Sequence, residues 1–326
     1  MNSDTLISVQ NLSRYYGGFC AVNNISFEVK RGQILGLLGP NGAGKTTTMQ
    51  MITGTLAPTI GQISVAGYDL LDYPIKAKSA IGYLPETPPL YREMQVNEYL
   101  RFCAKLHQIP RSSITSAINR AIEQCGLNTV SHRLIGNLSK GYQQRVGIAQ
   151  AIIHSPPVVI LDEPTIGLDP IQIREIRTLI HDLGKEHSVI LSTHILPEVQ
   201  AVCNQVQIIN QGQLILNDTI SGLFSQTTTH FRVALHRPPD VHILKEIQGI
   251  HEVEEQDNHH FRIEYATDKN PAEALVEKAV AGNWGLYELI PEQRSLEQVF
   301  VELMNNSNEE ISPDFSLLNQ KVVSSD

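Results

Sequence analysis

The sequence predicts an α/β protein with a parallel core sheet, followed by a smaller α+β domain. A mainly apolar run at residues 33–38 leads into a glycine-rich loop and then a helix from Lys45, which is typical of a buried parallel strand. Strand-like and helical runs alternate again from residue 158 to about residue 200, and such alternation places helices on a parallel sheet. Strand-like runs at residues 7–9, 25–29 and 63–65 are expected to form a flanking antiparallel sheet.

The pattern of elements divides the chain into two domains. We expect the first to span residues 1–220, with a helical subdomain at about 88–154, and a Ser- and Thr-rich linker to follow at 221–229. Residues 230–304 predict the order strand, helix, strand, strand, helix, strand, helix, which is that of a ferredoxin-like split βαβ unit. Ser295 and Gln298 resemble a capping box for the last helix. The polar residues 305–326 are expected to be a disordered tail.

The composition argues against several classes of protein. The formal net charge of −9 argues against a general nucleic-acid binder, which usually carries a basic face. The sequence has no apolar run near the roughly 20 residues that span a bilayer, and its first residues do not resemble a signal peptide. We therefore expect a cytosolic chain that reaches the membrane only through a partner. The four cysteines are scattered, which favours reduced thiols over disulfides or a zinc site.

The glycine-rich loop carries the features of a triphosphate site. It fits the pattern G-x-x-x-x-G-K-[ST] and continues into a helix, through Gly39, Pro40, Asn41, Gly42, Ala43, Gly44, Lys45, Thr46 and Thr47. Glycines allow the backbone N–H groups of residues 42–47 to converge on phosphates, and the helix points its positive end at them. Lys45 adds a charge near the β- and γ-phosphates, and the Thr46 hydroxyl is placed to bind Mg²⁺. The alternative, a glycine-rich turn with a chance lysine, leaves the preceding strand and following helix unexplained.

Four further motifs indicate a family. The sequence LSKGYQQR at residues 138–145 resembles the ABC signature, and VVILDE at residues 158–163 resembles a Walker B strand. Gly167-Leu168-Asp169 resembles the D-loop, and His194 at the end of a strand resembles the switch histidine. In this order and spacing the motifs resemble the nucleotide-binding subunits of ABC transporters over about residues 5–220. The resemblance implies an ATPase that uses ATP and Mg²⁺ and powers transport across a membrane.

The resemblance also implies roles for individual side chains. It makes Glu163 the general base for the attacking water and His194 the sensor of the γ-phosphate. Thr46 and Asp162 are expected to hold Mg²⁺, because Asp162 follows four apolar residues and so ends a buried strand beside the phosphate loop. Taken alone, an Asp-Glu pair can be a surface turn, and a histidine at a strand end is more often structural.

Two positions depart from the family pattern. Glu86 stands where the Q-loop usually has a glutamine, and Tyr142 stands where the signature usually has one. Both are typical of the subgroup that serves drug, polysaccharide and gliding-motility exporters. The Glu86 carboxylate can still bind Mg²⁺ through water, but it adds negative charge beside the phosphates.

The signature residues imply a second subunit. In this family Ser139 and Gly141 lie far from the phosphate loop of their own chain and close over ATP held by a partner, and Asp169 is also a nucleotide-site residue. We therefore expect a homodimer or a paired cassette with ATP between the protomers. The alternative for Ser139 is an ordinary N-cap. Tyr16 stands where the family's aromatic residue stacks on adenine, although an aromatic residue there could equally pack within the protein.

Together the motifs predict the ATP-binding and hydrolysing subunit of an ABC transporter. We expect it at the cytoplasmic face of the cell membrane, bound to an integral membrane permease subunit, with export as the direction and no nucleic-acid partner. One rival is an ABC protein that acts on ribosomes or DNA, but those chains usually carry two cassettes, long coiled coils or zinc motifs. Another rival is a nucleotide-binding regulator without hydrolysis, against which Glu163 and His194 argue.

Overall fold

The computed structural model describes residues 4–225, 229–257, 259–265, 270–292 and 296–309. The chain divides into two compact units, Met1–Ile220 and Ser221–Asp326. Within the described ranges, every helix is too short or too polar to cross a bilayer.

The first unit contains two sheets and seven α-helices in its described residues, and an eighth α-helix begins at its last residue. In chain order they are β1 (Thr5–Tyr16), β2 (Phe19–Lys30), β3 (Ile34–Leu38), α1 (Lys45–Ile52), β4 (Ile60–Val65), β5 (Tyr68–Asp69), α2 (Pro74–Ser79), β6 (Ile81–Leu84), α3 (Val96–Leu106), α4 (Ile114–Gln124), α5 (Lys140–Ile152), β7 (Val158–Asp162), α6 (Pro170–Leu183), β8 (Ser188–Thr193), α7 (Leu196–Val202), β9 (Gln205–Asn210), β10 (Gln213–Thr219) and α8 (Ile220–Ser225).

The antiparallel sheet lies near the N-terminus, as the sequence predicted. Its order is β2-β1-β4-β5. Ile7 and Ile25 of this sheet belong to the same buried apolar cluster as Met49 and Ile52 of α1. The sheet therefore supports the helix that follows the glycine-rich loop.

The predicted parallel core sheet is confirmed. It has six strands in the order β10-β9-β3-β8-β7-β6, and only the edge strand β10 pairs antiparallel. β3, β7 and β8 are buried along their whole length, which explains their near-continuous apolar sequences. In the register, Leu38 lies opposite Thr193, and Asp162 lies opposite Ser192. The carboxyl ends of these three strands therefore meet at one edge of the sheet.

The helical part of the first unit contains α3, α4 and α5, which contact one another. Gln95 and Glu98 form a capping box at the start of α3. The N-cap of α5 is Ser139, whose hydroxyl accepts a hydrogen bond from the Tyr142 N–H at 3.4 Å. These three α-helices fall within the range predicted to be helical, about 88–154, and are connected by loops and short 3-10 helices.

Strand β6 was not among the strands predicted from the sequence. Its residues 81–84 include Gly82, which weakens a strand pattern. The structure explains this glycine, because a side chain at that position would run into the Ala151 carbonyl of α5. β6 pairs in parallel with β7, so it extends the core sheet toward the helical part.

The second unit has one four-stranded antiparallel sheet. Its described elements follow α8 as β11 (Thr229–Leu235), α9 (Val241–Lys245), β12 (Ile250–Asp257), β13 (His260–Tyr265), α10 (Ala272–Ala281), β14 (Leu286–Glu292) and α11 (Leu296–Glu309). The strand order is β12-β13-β11-β14. Phe231, Val233, Phe261 and Ile263 pack in its buried core. The order of strands and helices agrees with the sequence pattern, while the assignment to the ferredoxin-like class stays a prediction.

Two expected boundaries differ from the structure. The segment predicted as a linker at 221–229 begins inside α8, in which Leu223 is buried, while residues 226–228 lie outside the described ranges. The tail predicted from residue 305 starts within α11, which continues to Glu309. Once a helix has formed, each added residue gains one backbone hydrogen bond for the ordering of that single residue. Polar composition alone therefore does not end the helix. The rest of the predicted tail and Ser295 of the predicted capping box are outside the described residues.

Candidate functional site

The glycine-rich loop joins the carboxyl end of β3 to α1, where it turns sharply. Gly44 has a φ of +104°, which is strained for any residue with a side chain. A Cβ at Gly44 would also lie 2.6 Å from the Ala21 carbonyl oxygen. Glycine is therefore required for the loop to enter α1 at this angle. The backbone N–H groups at the start of α1 have no partners within the helix and are available to an anion.

Lys45 is a buried cation at the first position of α1. Its Nζ donates hydrogen bonds to the carbonyl oxygens of Gly39 at 2.8 Å and Pro40 at 3.2 Å. The same Nζ lies 3.7 Å from Oε1 of Glu163. Burial lowers the pKa of Lys45, whereas the negative charges of Glu163 and Asp162 act to raise it. A further anion in the adjoining cavity would therefore find a partly desolvated positive charge.

Asp162 ends β7 and is 1% exposed. Its Oδ1 accepts a hydrogen bond from the Ser192 hydroxyl, while its Oδ2 is buried and without a hydrogen-bond partner among the described residues. Burial raises the pKa of Asp162, and the hydroxyls of Ser192 and Thr46 lower it. The free carboxylate oxygen and the neighbouring Thr46 hydroxyl are hard oxygen donors of the kind that Mg²⁺ prefers.

These donors fit a magnesium ion that is completed by phosphate oxygens. Among the residues that the structure describes, no group of three or more His, Cys, Asp or Glu side chains is placed to hold a metal ion. Mg²⁺ usually binds through one or two carboxylates together with substrate phosphates and waters, so a protein cage is not required.

Glu163 follows Asp162 in a turn with a left-handed backbone, at a φ of +46°. Such conformations cost about 1–3 kcal/mol and concentrate at functional sites. Ser192 holds the turn, because the Glu163 N–H donates to the Ser192 carbonyl at 3.2 Å and to its hydroxyl at 3.0 Å. The turn directs Oε2 of Glu163 toward His194, whose Nδ1 is 3.0 Å away.

The phosphate loop, Glu163 and His194 border one open cavity of about 660 Å³. Its lining also includes Glu86, from the loop after β6, and two aromatic residues of the β1–β2 hairpin. The full lining is Tyr16, Phe19, Ala21, Asn41, Gly42, Gly44, Lys45, Thr46, Thr47, Glu86, Glu163, Ile166 and His194. The remaining predicted residues of this group are not among the lining residues: Gly39, Pro40, Ala43 and Asp162.

Tyr16 and Phe19 present exposed rings at the mouth of this cavity. Tyr16 is 46% exposed and Phe19 is 65% exposed. The two residues pair directly across the β1–β2 hairpin, so their side chains project from the same face. The Arg14 guanidinium lies 4.7 Å from the Tyr16 ring centroid. Sequence reasoning missed Phe19, although its place in a hairpin opposite Tyr16 was a usable signal.

Glu86 places a negative charge close to both Lys45 and Asp162. Burial is the largest influence on both groups, since it lowers the pKa of Lys45 and raises the pKa of Asp162. The negative charge of Glu86 acts to raise both pKa values. Glu86 also borders a second cavity of about 470 Å³ with Pro88, Leu90 and residues of α5. The loop that carries Glu86 is therefore shared between the phosphate cavity and the helical part.

Ser139, Gly141 and Asp169 border a different cavity, of about 530 Å³. Asp169 caps α6 by accepting a hydrogen bond from the Gln172 N–H at 2.9 Å. Gln172 in turn lies against Gly141, where an added Cβ would approach its side-chain carbon to 2.7 Å. The residues predicted from the sequence thus form two groups in one chain, and the signature group does not border the phosphate cavity.

Comparison with known proteins places these features in a family. Residues 22–166 match the family model described as ABC transporter. The chain is 40% identical over 213 residues to the bacitracin transport ATP-binding protein BcrA of Bacillus licheniformis, covering 65% of this chain and 69% of that protein. It is 30% identical over 310 residues to the uncharacterized ABC transporter ATP-binding protein YhcH of Bacillus subtilis (strain 168), covering 94% and 98%.

The fold of this chain is also similar to that of a solved ABC transporter structure. CbiO1 from Clostridium perfringens, described as part of the ABC transporter complex cbiONQ, is 30% identical with a TM-score of 0.63. The match covers 68% of this chain and 92% of that one.

Proposed function

This chain belongs to the ATP-binding proteins of ABC transporters, and we propose that it hydrolyses ATP to power a separate membrane subunit. One observation carries the proposal: Glu163 lies at the wall of the phosphate cavity, between Lys45 at 3.7 Å and His194 at 3.0 Å. A carboxylate in this position can accept a proton from water, and its two neighbours can each stabilise negative charge.

The triphosphate of ATP binds through the backbone N–H groups of residues 42–47 and the positive end of α1. Lys45 turns from the Gly39 and Pro40 carbonyls toward the β- and γ-phosphates. The Tyr16 ring stacks on the base. Thr46 and Asp162 would hold Mg²⁺, with Glu86 as a further oxygen donor through water, and the ion would supply positive charge that neutralises the phosphates.

Hydrolysis then transfers the γ-phosphoryl group to water. Glu163 accepts a proton from the attacking water as the new bond between oxygen and γ-phosphorus forms. The bond between the γ-phosphorus and the bridging oxygen breaks, and its electron pair leaves with ADP. His194 donates a hydrogen bond toward the γ-phosphate as charge develops there. Binding of the triphosphate also draws Lys45 away from Glu163, which frees the carboxylate for this step.

The separation of the two cavities supports a head-to-tail dimer. Ser139 and Gly141 begin α5 with backbone N–H groups suited to an anion, yet they border a cavity apart from the phosphate loop. A second copy that presents this surface would close the phosphate cavity of the first. Two identical chains would then enclose two ATP molecules.

The loop between β6 and α3 is the proposed contact with the membrane subunit. It carries Pro88, Pro89, Leu90 and Tyr91, and Tyr91 is 52% exposed. The Tyr99 hydroxyl donates to the Pro89 carbonyl at 3.0 Å, which fixes the loop on α3. Because Glu86 begins this loop, a change at the phosphates can shift it. CbiO1 is part of the ABC transporter complex cbiONQ. We propose that this chain likewise assembles with a membrane subunit, at the cytoplasmic face of the membrane.

We propose export as the direction of transport. The support is the pair Glu86 and Tyr142, which resembles the exporter subgroup, together with the similarity to the bacitracin transport protein BcrA.

Phosphate release from the purified chain tests the proposal. We expect steady release with ATP and Mg²⁺, and none when Mg²⁺ is chelated. Co-purification from detergent-solubilised membranes should recover a membrane-spanning protein, and this recovery should fail when residues 88–91 are replaced by glycine and serine. ATP binding without phosphate release, alone and with the recovered partner, would instead favour a nucleotide-dependent regulator.

A further inference from the structure

Beside the phosphate cavity lies a buried polar network that the reaction above does not use. Glu198 of α7 is 1% exposed, and its Oε2 accepts a hydrogen bond from the Thr193 hydroxyl at 2.9 Å. Its Oε1 lies 3.8 Å from Nη2 of Arg177 and has no hydrogen-bond partner within the described residues. Burying a carboxylate is costly unless it is paired, so this arrangement requires an explanation.

Thr193 connects the network to His194. Its hydroxyl has one hydrogen, which it donates to Glu198, and it accepts a hydrogen bond from the Ile195 N–H at 3.1 Å. A hydrogen bond therefore links the residue before His194, Thr193, to the residue after it, Ile195. This closes a small ring around the backbone of residue 194, from which the imidazole points its Nδ1 at Glu163.

Arg177 connects the network to a different surface. It lies on α6, whose N-terminus is capped by Asp169 beside the signature cavity. α6 packs against α7, which carries Glu198. The Arg177–Glu198 separation of 3.8 Å is longer than a hydrogen bond, and Nε of Arg177 is buried without a partner among the described residues. A small shift of α6 can therefore tighten or loosen this contact.

The geometry points to Arg177, Glu198 and Thr193 as positioning residues that set the orientation of His194 according to the position of α6. This inference rests on the proposed function, in which His194 acts on the γ-phosphate and a second copy contacts the surface around Asp169. The network touches neither the phosphate cavity nor the base site. It therefore affects the rate of hydrolysis without affecting nucleotide affinity.

The first test removes one hydroxyl. Thr193→Val keeps the side-chain shape but deletes both hydrogen bonds, and we expect kcat to fall by about tenfold or more, with ATP affinity unchanged. Thr193→Ser keeps the hydroxyl and should restore most of the lost rate. Thr178→Val is the matched control, because that hydroxyl donates a hydrogen bond to the Arg174 carbonyl on the exposed side of α6.

A double-mutant cycle separates positioning from a general structural effect. In a His194→Ala background, Thr193→Val should cause no further loss of kcat, because its whole effect passes through His194. A further tenfold loss in that background would overturn the inference. Glu198→Gln should likewise reduce kcat only when His194 is present.

These experiments distinguish a failure of the proposed function from a failure of the positioning network. Full turnover by His194→Ala would contradict the role of His194 in the proposed function. A protein that depends on His194 but is indifferent to Thr193→Val and Glu198→Gln would overturn the positioning network alone. Thermal unfolding of each variant controls for folding, and the neutral pair Arg177→Met with Glu198→Gln supplies a variant without an unpaired buried charge.

Discussion

Nδ1 of His194 lies 3.0 Å from Oε2 of Glu163, although 31 residues separate the two along the chain. The other oxygen of the carboxylate, Oε1, lies 3.7 Å from Nζ of Lys45. Both oxygens are thus engaged by groups that the triphosphate would also attract. When nucleotide binds, Lys45 and His194 should therefore exchange contacts with Glu163 for contacts with the phosphates. Mutation of Glu163 and mutation of Lys45 should affect hydrolysis and binding differently.

Glu163→Gln should separate binding from hydrolysis. The amide has nearly the same shape but accepts no proton, so we expect phosphate release to fall by about 10²- to 10⁴-fold. ATP should still bind, and the bound protein should accumulate as a dimer in sedimentation experiments. Glu186→Gln is a suitable control, since Glu186 is an exposed carboxylate that accepts a hydrogen bond from the Gln124 side chain, outside the lining of the phosphate cavity. Normal steady-state hydrolysis by Glu163→Gln would remove the assigned base.

Lys45→Ala should abolish high-affinity ATP binding. The change deletes the only ammonium group that borders the phosphate cavity in the described residues, and charge-assisted contacts with phosphate are among the strongest in proteins. We expect the dissociation constant, measured by calorimetry, to rise by about 100-fold. Lys185→Ala, which removes an exposed lysine paired with Asp182, should bind as the unmodified protein does. Retained micromolar affinity in Lys45→Ala would contradict the role of the phosphate loop.

Sequence patterns predict the core of this site because parallel strands end at one edge of a sheet. The apolar runs before Gly39, Asp162 and His194 mark three such strands, and their register brings the following residues together. The positive φ of Glu163 and the hydrogen bonds of Thr193 depend on turn geometry, which leaves no periodic signal. Strand β6 was hidden for a related reason, since close packing of α5 requires Gly82.

Glu86→Gln should alter how the site depends on magnesium. Removing a negative charge beside Lys45 and Asp162 reduces repulsion of the phosphates, so ATP measured in excess chelator should bind about threefold to tenfold more tightly. The Mg²⁺ concentration that gives half-maximal hydrolysis should rise, because the metal loses an anionic partner. Glu93→Gln, an exposed change further along the same loop, should leave both quantities unaltered. Identical magnesium dependence in Glu86→Gln would show that this carboxylate does not act on the metal.

Tyr16→Ala should weaken binding through the base alone. Base–aromatic stacking contributes about 1–3 kcal/mol, so the affinity for ATP should fall by roughly fivefold to 100-fold. Inorganic tripolyphosphate, which has no base, should bind equally to Tyr16→Ala and the unmodified protein, and Tyr16→Phe should retain ATP affinity. GTP should be affected as ATP is, since stacking uses the face of the base. Equal loss for tripolyphosphate would mean that Tyr16 shapes the phosphate site instead.

A stacked histidine pair, in which His154 is half-buried, should make the first unit less stable in mild acid. The His154 and His107 rings stack with centroids 3.8 Å apart, and a ring nitrogen of His154 lies 3.2 Å from the Ile81 carbonyl oxygen. Burial, reinforced by the neighbouring His107, lowers the pKa of His154 from 6.5 to about 4. Between pH 6.5 and about 4, His154 is therefore protonated in the unfolded chain but mainly neutral in the folded chain. The stabilisation is complete above about pH 6.5 and is lost as the pH falls toward 4.

Replacement of His154 by a side chain that does not titrate should flatten this dependence. For the unmodified protein, His154 alone should contribute a loss of about 1 kcal/mol in the free energy of unfolding between pH 7.5 and 5.5. His154→Gln should lose less over the same interval, whereas His181→Asn, at an exposed histidine, should match the unmodified protein. Hydrogen exchange of the α5 amides is the appropriate measurement, because the single tryptophan, Trp284, lies in the second unit and would report on the wrong part of the chain. An unchanged pH dependence in His154→Gln would mean that water reaches the ring in the folded protein and that the stacked pair does not exclude the proton.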